Sequence, residues 1–471
     1  MLFNSFEFAL FIAPVLILVM TLKHRHQNLF LLAASYFFYG SWDWRFLSLI
    51  FLSTVVDYTC ALRMVKGSDK QRKWALWTSL GFNLGALGFF KYTNFFIESF
   101  ADWAGTLGFA VSIPALEIIL PVGISFYTFQ TLSYTIDVYR GQTTPTRNFF
   151  NFALYVAFFP QLVAGPIEKS RRFLPQVENE RQITRQGCLE GAYLILWGLF
   201  KKVVVADRCA IIVTRVFHQD GFDPTALELL VGAYAFSWQI YCDFSGYTDI
   251  ARGVAKTMGF DLMLNFRMPY FSPNLADFWR RWHISLSTWF KEYLYIPLGG
   301  NRVNKGRLAF NLMTVFVVSG LWHGAAMNFV VWGALHGIGL VVLTFGARPI
   351  ERLKSLFPAP VWGVLAVLFT FHYVVFAFSI WQPATVTQWW SLVETVFTDW
   401  STSRAGWKDL FTLMGLVALP MGVQWAQFRK DDPMLPLSWP AWGRFVFYLV
   451  LLIAVIRFGV FDGEQFIYFQ F

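Results

Sequence analysis

The residues in this sequence best placed to do chemistry are histidines. His323, in the run Ser319-Gly320-Leu321-Trp322-His323-Gly324-Ala325-Ala326, lies between two strongly apolar stretches, and His336 follows thirteen residues later in Ala334-Leu335-His336-Gly337. A third, His283, closes the run Asp277-Phe278-Trp279-Arg280-Arg281-Trp282-His283. An ionisable side chain in apolar sequence costs free energy unless it lines a cavity or is paired, so it marks a functional position by default. Burial disfavours the imidazolium and leaves a neutral imidazole. Such a base can take the proton from a hydroxyl as that oxygen attacks an acyl carbon, or can accept the acyl group itself. Gly320 and Gly324, four residues apart, let another backbone or a substrate chain come close to His323. The plain structural account of the same histidines is packing in an apolar core.

The stretch around His283 continues through Ile284-Ser285-Leu286-Ser287 to Tyr295-Ile296-Pro297-Leu298-Gly299-Gly300-Asn301. Read as one helix, 277–290 puts Phe278, Trp282, Leu286 and Trp289 on one face, with Arg280, Ser287 and Lys291 elsewhere, and lets the His283 ring pack on Trp279. Its structural alternative is an interfacial amphipathic helix whose arginines snorkel. In a further polar run, Tyr241 to Arg252, Asp243 and Ser245 are expected to cap the start of a helix and Asp249 to pair with Arg252. Other chemistries lack their motifs. There is no HExxH and no CxxC among Cys60, Cys188, Cys209 and Cys242, so no metal site is expected. Neither a P-loop, a GxGxxG fingerprint nor a GxSxG elbow occurs, which removes ATP-driven, nicotinamide and serine-hydrolase chemistry as first readings.

The elements that must hold these residues are membrane helices. Of the 471 residues, 56% are hydrophobic, 20% aromatic and only 14% charged, and the mean hydropathy is +0.47. A soluble protein carries roughly 25% charged residues, so this inventory cannot cover a water-facing surface. The first apolar run, 2–22, has no basic start and no small-residue cleavage site, and is expected to be a retained helix. Further runs lie near 28–40, 46–62, 74–90, 118–139, 189–206, 227–244, 308–324, 326–345, 361–381, 410–428 and 444–461, giving about eleven to thirteen spans. The net charge of +9 gathers in loops at 63–73, 140–185, 265–307 and 348–354, which the positive-inside rule places in the cytoplasm. That pattern reads as topology and excludes nucleic acid as partner. The apolar piece 148–164 lies between two such flanks and is expected to re-enter or lie in the interface, as Pro160 and Pro166 permit. No linker divides the chain, so 1–471 reads as one membrane domain, with a cytoplasmic re-entrant region at 246–307 and the histidine region at 308–345.

Several strings together resemble the bacterial polysaccharide O-acetylation branch of the membrane-bound O-acyltransferase family, in particular the membrane proteins of alginate and cellulose acetylation. They are Phe278-Trp279-Arg280-Arg281-Trp282-His283-Ile284-Ser285-Leu286-Ser287, Tyr295-Ile296-Pro297-Leu298-Gly299-Gly300-Asn301-Arg302 and Gly320-Leu321-Trp322-His323-Gly324. Pro121-Val122-Gly123-Ile124-Ser125-Phe126-Tyr127, Ile136-Asp137-Val138-Tyr139-Arg140, Gly165-Pro166, the run from Asp243 to Asp249 and the closing Phe466-Ile467-Tyr468-Phe469-Gln470-Phe471 belong to the same pattern. The resemblance implies an all-α ring of helices around a tunnel, and an acyltransferase of the bacterial inner membrane. It would take acetyl from cytoplasmic acetyl-CoA and pass it outward for O-acetylation of an extracellular polysaccharide.

It implies His323 as catalytic and His283 as a second functional position on the cytoplasmic arm, with Trp279, Trp282, Ser319, Trp322 and Asn301 lining the tunnel. Arg280, Arg281, Lys291 and Arg302 would contact the phosphates of coenzyme A, an anionic nucleotide on a thin arm. A thioester is already activated, in keeping with the missing P-loop. No cofactor would be bound permanently. The implied partner is a periplasmic SGNH-type acetyltransferase. From another class, a proton-coupled carrier or flippase of an acylated lipid or sugar would also place histidines at membrane depth.

Overall fold

The computed structural model describes all residues except 110–113, 164, 402, 462–465 and 468–471, so the last four residues of the closing motif lie outside it. Every described regular element is helical, and the protein is an all-α, multi-pass membrane protein. Among the described residues five helical stretches are long and apolar enough to cross a bilayer: His24–Lys66, Met327–Phe345, Ala359–Ser379, Arg404–Lys430 and Ala441–Phe458. The other expected runs are also helical, but shorter, as in Phe6–Thr21, or more polar, as in Lys305–His323. The piece 148–164 folds as Phe149–Ala157 and Phe159–Leu162, buried from Phe152 to Leu162. Helices of nine and four residues rise ~14 and ~6 Å, too little to cross.

The chain divides into two compact units, 1–191 with 254–263, and 192–253 with 264–471. In the first, helix Leu47–Lys66 carries Asp57, fully buried. Asn83 Nδ2 donates to both its oxygens at 3.0 Å, and the hydroxyls of Ser79 and Thr135 donate to Oδ1. A carboxylate at membrane depth is thereby fully solvated by protein groups. Glu168, in the loop before helix Ser170–Glu178, is buried as well. It accepts from Arg172 Nη1 at 2.9 Å and from the Met263 backbone N–H, while Arg172 also reaches Asp261 at 2.6 Å.

Burial pushes the Glu168 carboxyl up to about 7, against the pull of Arg172. Its native value then lies above its ordinary one near 4.5, so between these pH values the native state holds a proton that the unfolded chain has released. Stability from this group is therefore full below the lower value and lost as pH rises through the higher one. The melting temperature of the purified protein is expected to fall across that window, and Glu168→Gln to flatten the dependence. An unchanged slope in the variant would assign the titration to another group.

The second unit contains the histidines. The helix Ala226–Thr257, most of which belongs to it, runs straight through the 241–252 stretch. Asp243 and Ser245 therefore cap nothing, and this corrects the sequence expectation: the apolar run before them continues the same helix instead of ending. The Asp249–Arg252 pair does form, at 3.3 Å. Helix 226–257 crosses the stretch ending at Leu199 so closely that a Cβ on Gly198 would lie 2.6 Å from the Gly246 carbonyl oxygen.

Candidate active site around two buried histidines

His323 ends helix Lys305–His323. Asn304 opens that helix by accepting from Arg307 N at 2.9 Å, and Gly324, extended at φ −155° and ψ 145°, closes it. The chain turns at once into Met327–Phe345, and the two helices meet backbone to backbone. A Cβ on Gly320 would stand 2.0 Å from the Phe329 carbonyl oxygen, and one on Gly333 2.2 Å from that of Phe316. The close approach that Gly320 allows is thus made by a helix of the same chain. Gly324 admits the Phe329 ring in the same way.

This hairpin buries His323 in tryptophan. Its ring centroid lies 5.0 Å from Trp322, 5.0 Å from Trp332 and 5.3 Å from Trp381. Ser319, one turn earlier, is buried too. Trp332 and Trp381, nine and fifty-eight residues downstream, escaped the sequence reading, because nothing local links them to His323.

His283 arrives from a different direction. The expected single helix over 277–290 is broken: Leu275–Arg281 stops, Trp282 is extended, His283 takes left-handed φ 44° and ψ 54°, and Ile284–Phe290 begins anew. A left-handed backbone at a non-glycine residue is unfavourable and persists only where surroundings dictate it. Here Asn265 dictates it, accepting from Ile284 N at 2.9 Å through its carbonyl and from Ser285 N at 3.2 Å through its side chain. The break aims the fully buried His283 ring at His323, with centroids 6.4 Å apart. Phe244 at 4.7 Å, Trp322 at 5.9 Å and Phe266 at 6.4 Å also pack on it.

The break also redirects Trp279. Instead of packing on His283, its indole packs on His336 at 5.0 Å, because the two residues no longer share a helical face. Trp282 is buried among Phe266, Phe278 and Phe378. Of the cationic candidates, Arg280, Lys291 and Arg302 are exposed, whereas Arg281 donates to Asp277 at 2.6 Å and lies over the Phe428 ring. Asn301 sits on an exposed turn. Among the described residues no three His, Cys, Asp or Glu side chains converge as a metal set requires.

Two buried cations were missed. Lys201 and Lys202 fall in a π-helical turn, Phe200–Ala206. Lys201 Nζ reaches Asp249 at 2.7 Å and Ser245 at 3.0 Å, and Lys202 Nζ reaches Asp243 at 2.7 Å and Asp207 at 2.8 Å. Two lysines inside the apolar run 189–206 were the available signal. Asp243 also accepts from Ile467 N at 2.8 Å, and the Phe466 ring packs on Tyr247 at 4.6 Å.

The arrangement is a buried aromatic cluster in which two imidazoles meet edge-on, their planes 61° apart. Comparison with known proteins points to the same segment. The sequence profile of the membrane-bound O-acyltransferase family matches residues 145–381, which hold His283, His323, His336 and the tryptophans around them. A probable alginate O-acetylase of Pseudomonas aeruginosa is 40% identical over 416 residues, 87% of this chain and 78% of that protein. A peptidoglycan O-acetyltransferase of Helicobacter pylori is 38% identical over 379 residues, covering 74% of this chain and 69% of its own. A teichoic acid D-alanyltransferase of Bacillus subtilis is 29% identical over 280 residues, 57% and 70% of the two chains. With the profile spanning half the chain and the buried histidines inside it, this protein belongs to the membrane-bound O-acyltransferase family and is an acyltransferase.

Proposed function

We propose that the protein takes acetyl from cytoplasmic acetyl-CoA and carries it across the bacterial inner membrane for O-acetylation of an extracellular polysaccharide of alginate or cellulose type, a periplasmic SGNH-type acetyltransferase completing the transfer. The observation that carries this is the pair of buried imidazoles, His323 and His283, 6.4 Å apart inside walls of tryptophan and phenylalanine. The names of the similar proteins, acting on alginate, peptidoglycan and teichoic acid, support a cell-envelope polymer. His323 takes the proton of the attacking hydroxyl as the new C–O bond forms. The C–S bond of the thioester breaks, and the leaving sulfur receives that proton.

Arg280, Lys291 and Arg302 are exposed and serve the coenzyme phosphates. Asn301 lies on the exposed turn beside Arg302. Trp279, Trp282, Ser319 and Trp322 form the buried walls. The test uses protein in sealed liposomes with labelled acetyl-CoA on one side. Free thiol released in step with label reaching the other side supports acyl transfer; label crossing without thiol release indicates a carrier instead. In the same assay Arg280→Gln combined with Lys291→Gln is expected to raise KM roughly tenfold, the worth of two lost solvent-screened contacts, with kcat retained.

A further inference from the structure

Beside His323 the structure leaves a group of buried polar atoms without partners among the described residues: Trp279 Nε1, Trp332 Nε1, and both ring nitrogens of His336. The three side chains touch one another. Ring centroids are 5.0 Å apart for Trp279 and His336, 4.9 Å for Trp332 and His336, and 5.8 Å for the two indoles. Trp332 and His336 are fully buried and Trp279 is 8% exposed. Some such groups elsewhere in this unit are served: Trp389 Nε1 donates to Ser379 at 2.9 Å, and the Tyr373 hydroxyl donates to the Leu335 carbonyl. Buried polar groups in native proteins are nearly always hydrogen-bonded, so several orphans in one place indicate an occupant.

The atoms define its chemistry. Indole N–H groups only donate, and a neutral imidazole donates once and accepts once. Phe278, Phe316 and Phe378 pack around His336, so the triad itself brings no charge to balance an anion. What fits is a neutral oxygen that accepts two or three N–H bonds. A water and an acyl carbonyl share that chemistry. Position favours the carbonyl: the Trp332 ring is 5.0 Å from His323 and 4.9 Å from His336, one wall common to the reacting imidazole and the orphaned donors.

We propose that Trp279, Trp332 and His336 form a binding pocket for the carbonyl oxygen of the acyl group under transfer, an inference that rests on acyl transfer at His323. When a hydroxyl adds to the thioester carbon, the C=O π pair moves onto oxygen, and the N–H groups stabilise the charge that develops. When the intermediate collapses, C=O re-forms, the C–S bond breaks, and the thiolate takes the proton held by His323. Preset donors at the growing charge act on the chemical step, so their effect falls on kcat.

The test measures thiol release from acetyl-CoA by the full chain in lipid nanodiscs. Trp332→Phe and Trp279→Phe each remove one N–H and keep an aromatic ring; each is expected to lower kcat about 10²-fold with little change in KM. His336→Phe is expected to match them, and His336→Gln, which keeps a donor and an acceptor, to retain most of the rate. Unchanged kcat in both tryptophan variants, with a lower melting temperature, would show a structural water and overturn the proposal. Should a variant fail to fold, infrared spectra of carbonyl-labelled acetyl-CoA on His323→Ala protein decide: a carbonyl stretch moved to lower frequency supports the pocket, and an unmoved one refutes it. Retained turnover in His323→Ala refutes acyl transfer at His323 itself, whereas lost turnover there with intact Trp332→Phe refutes only the pocket.

Discussion

Replacing His323 by alanine is expected to lower acetyl-CoA turnover by about 10²–10⁴-fold, the range a positioned general base contributes. The protein should remain folded, because the ring sits at the end of helix Lys305–His323, whose stop is set by Gly324 and whose packing on Met327–Phe345 is set by Gly320 and Gly333. A small cavity among Trp322, Trp332 and Trp381 is the main structural consequence. Size-exclusion profile and thiol release are measured on the same preparation. A variant that keeps full turnover would place the chemistry elsewhere. His323→Gln, which preserves volume and hydrogen bonding but is no base, should be nearly as inactive, and this separates proton transfer from packing.

Lys202→Met is expected to leave little folded protein. Lys202 Nζ lies between Asp207 and Asp243 at 2.8 and 2.7 Å, and all three side chains are nearly inaccessible. Removing one member of a buried ionic group strands the others, at ~3–5 kcal/mol. That is a large share of the net stability of a typical domain, ~5–15 kcal/mol. Here two carboxylates would be stranded, and one of them also holds Ile467 N. Yield and melting temperature in detergent report the loss. The triple variant Lys202→Met, Asp207→Asn and Asp243→Asn removes the charges together and should recover much of it, since neutral replacement of a buried group is often tolerated. If the triple variant melts no higher than Lys202→Met, the loss comes from packing and not from stranded charge.

Much of the site was legible because its signals are local. An ionisable residue in apolar sequence stands out by itself, so His323 was found from its local sequence, while His283 was singled out within an amphipathic stretch and given its role by the family resemblance; the rule for apolar runs would also have found Lys201 and Lys202. The strings around both histidines carried the family, and the profile match over 145–381 agrees. Local periodicity failed at His283, where a helical pattern from Phe278 to Trp289 hides a break. Nothing between 277 and 290 announces it, since the groups that hold it belong to Asn265. It failed likewise at Asp243, where a polar run looked like a helix start and is the middle of Ala226–Thr257.

The sequence by itself determined the solvent and the actors. Too few charges for a water-facing surface dictate a bilayer, apolar runs dictate helices because backbone groups in lipid must bond internally, and histidines within those runs dictate where polar chemistry is placed. Only the tertiary structure decided who meets whom. That His323 faces His283, forty residues earlier, and Trp381, fifty-eight later, and that Trp279 serves His336 and not its neighbour four residues on, follow from helix crossings. Those crossings depend on glycines fitting against distant carbonyls, and side-chain spacing along one helix carries no record of what lies across from it.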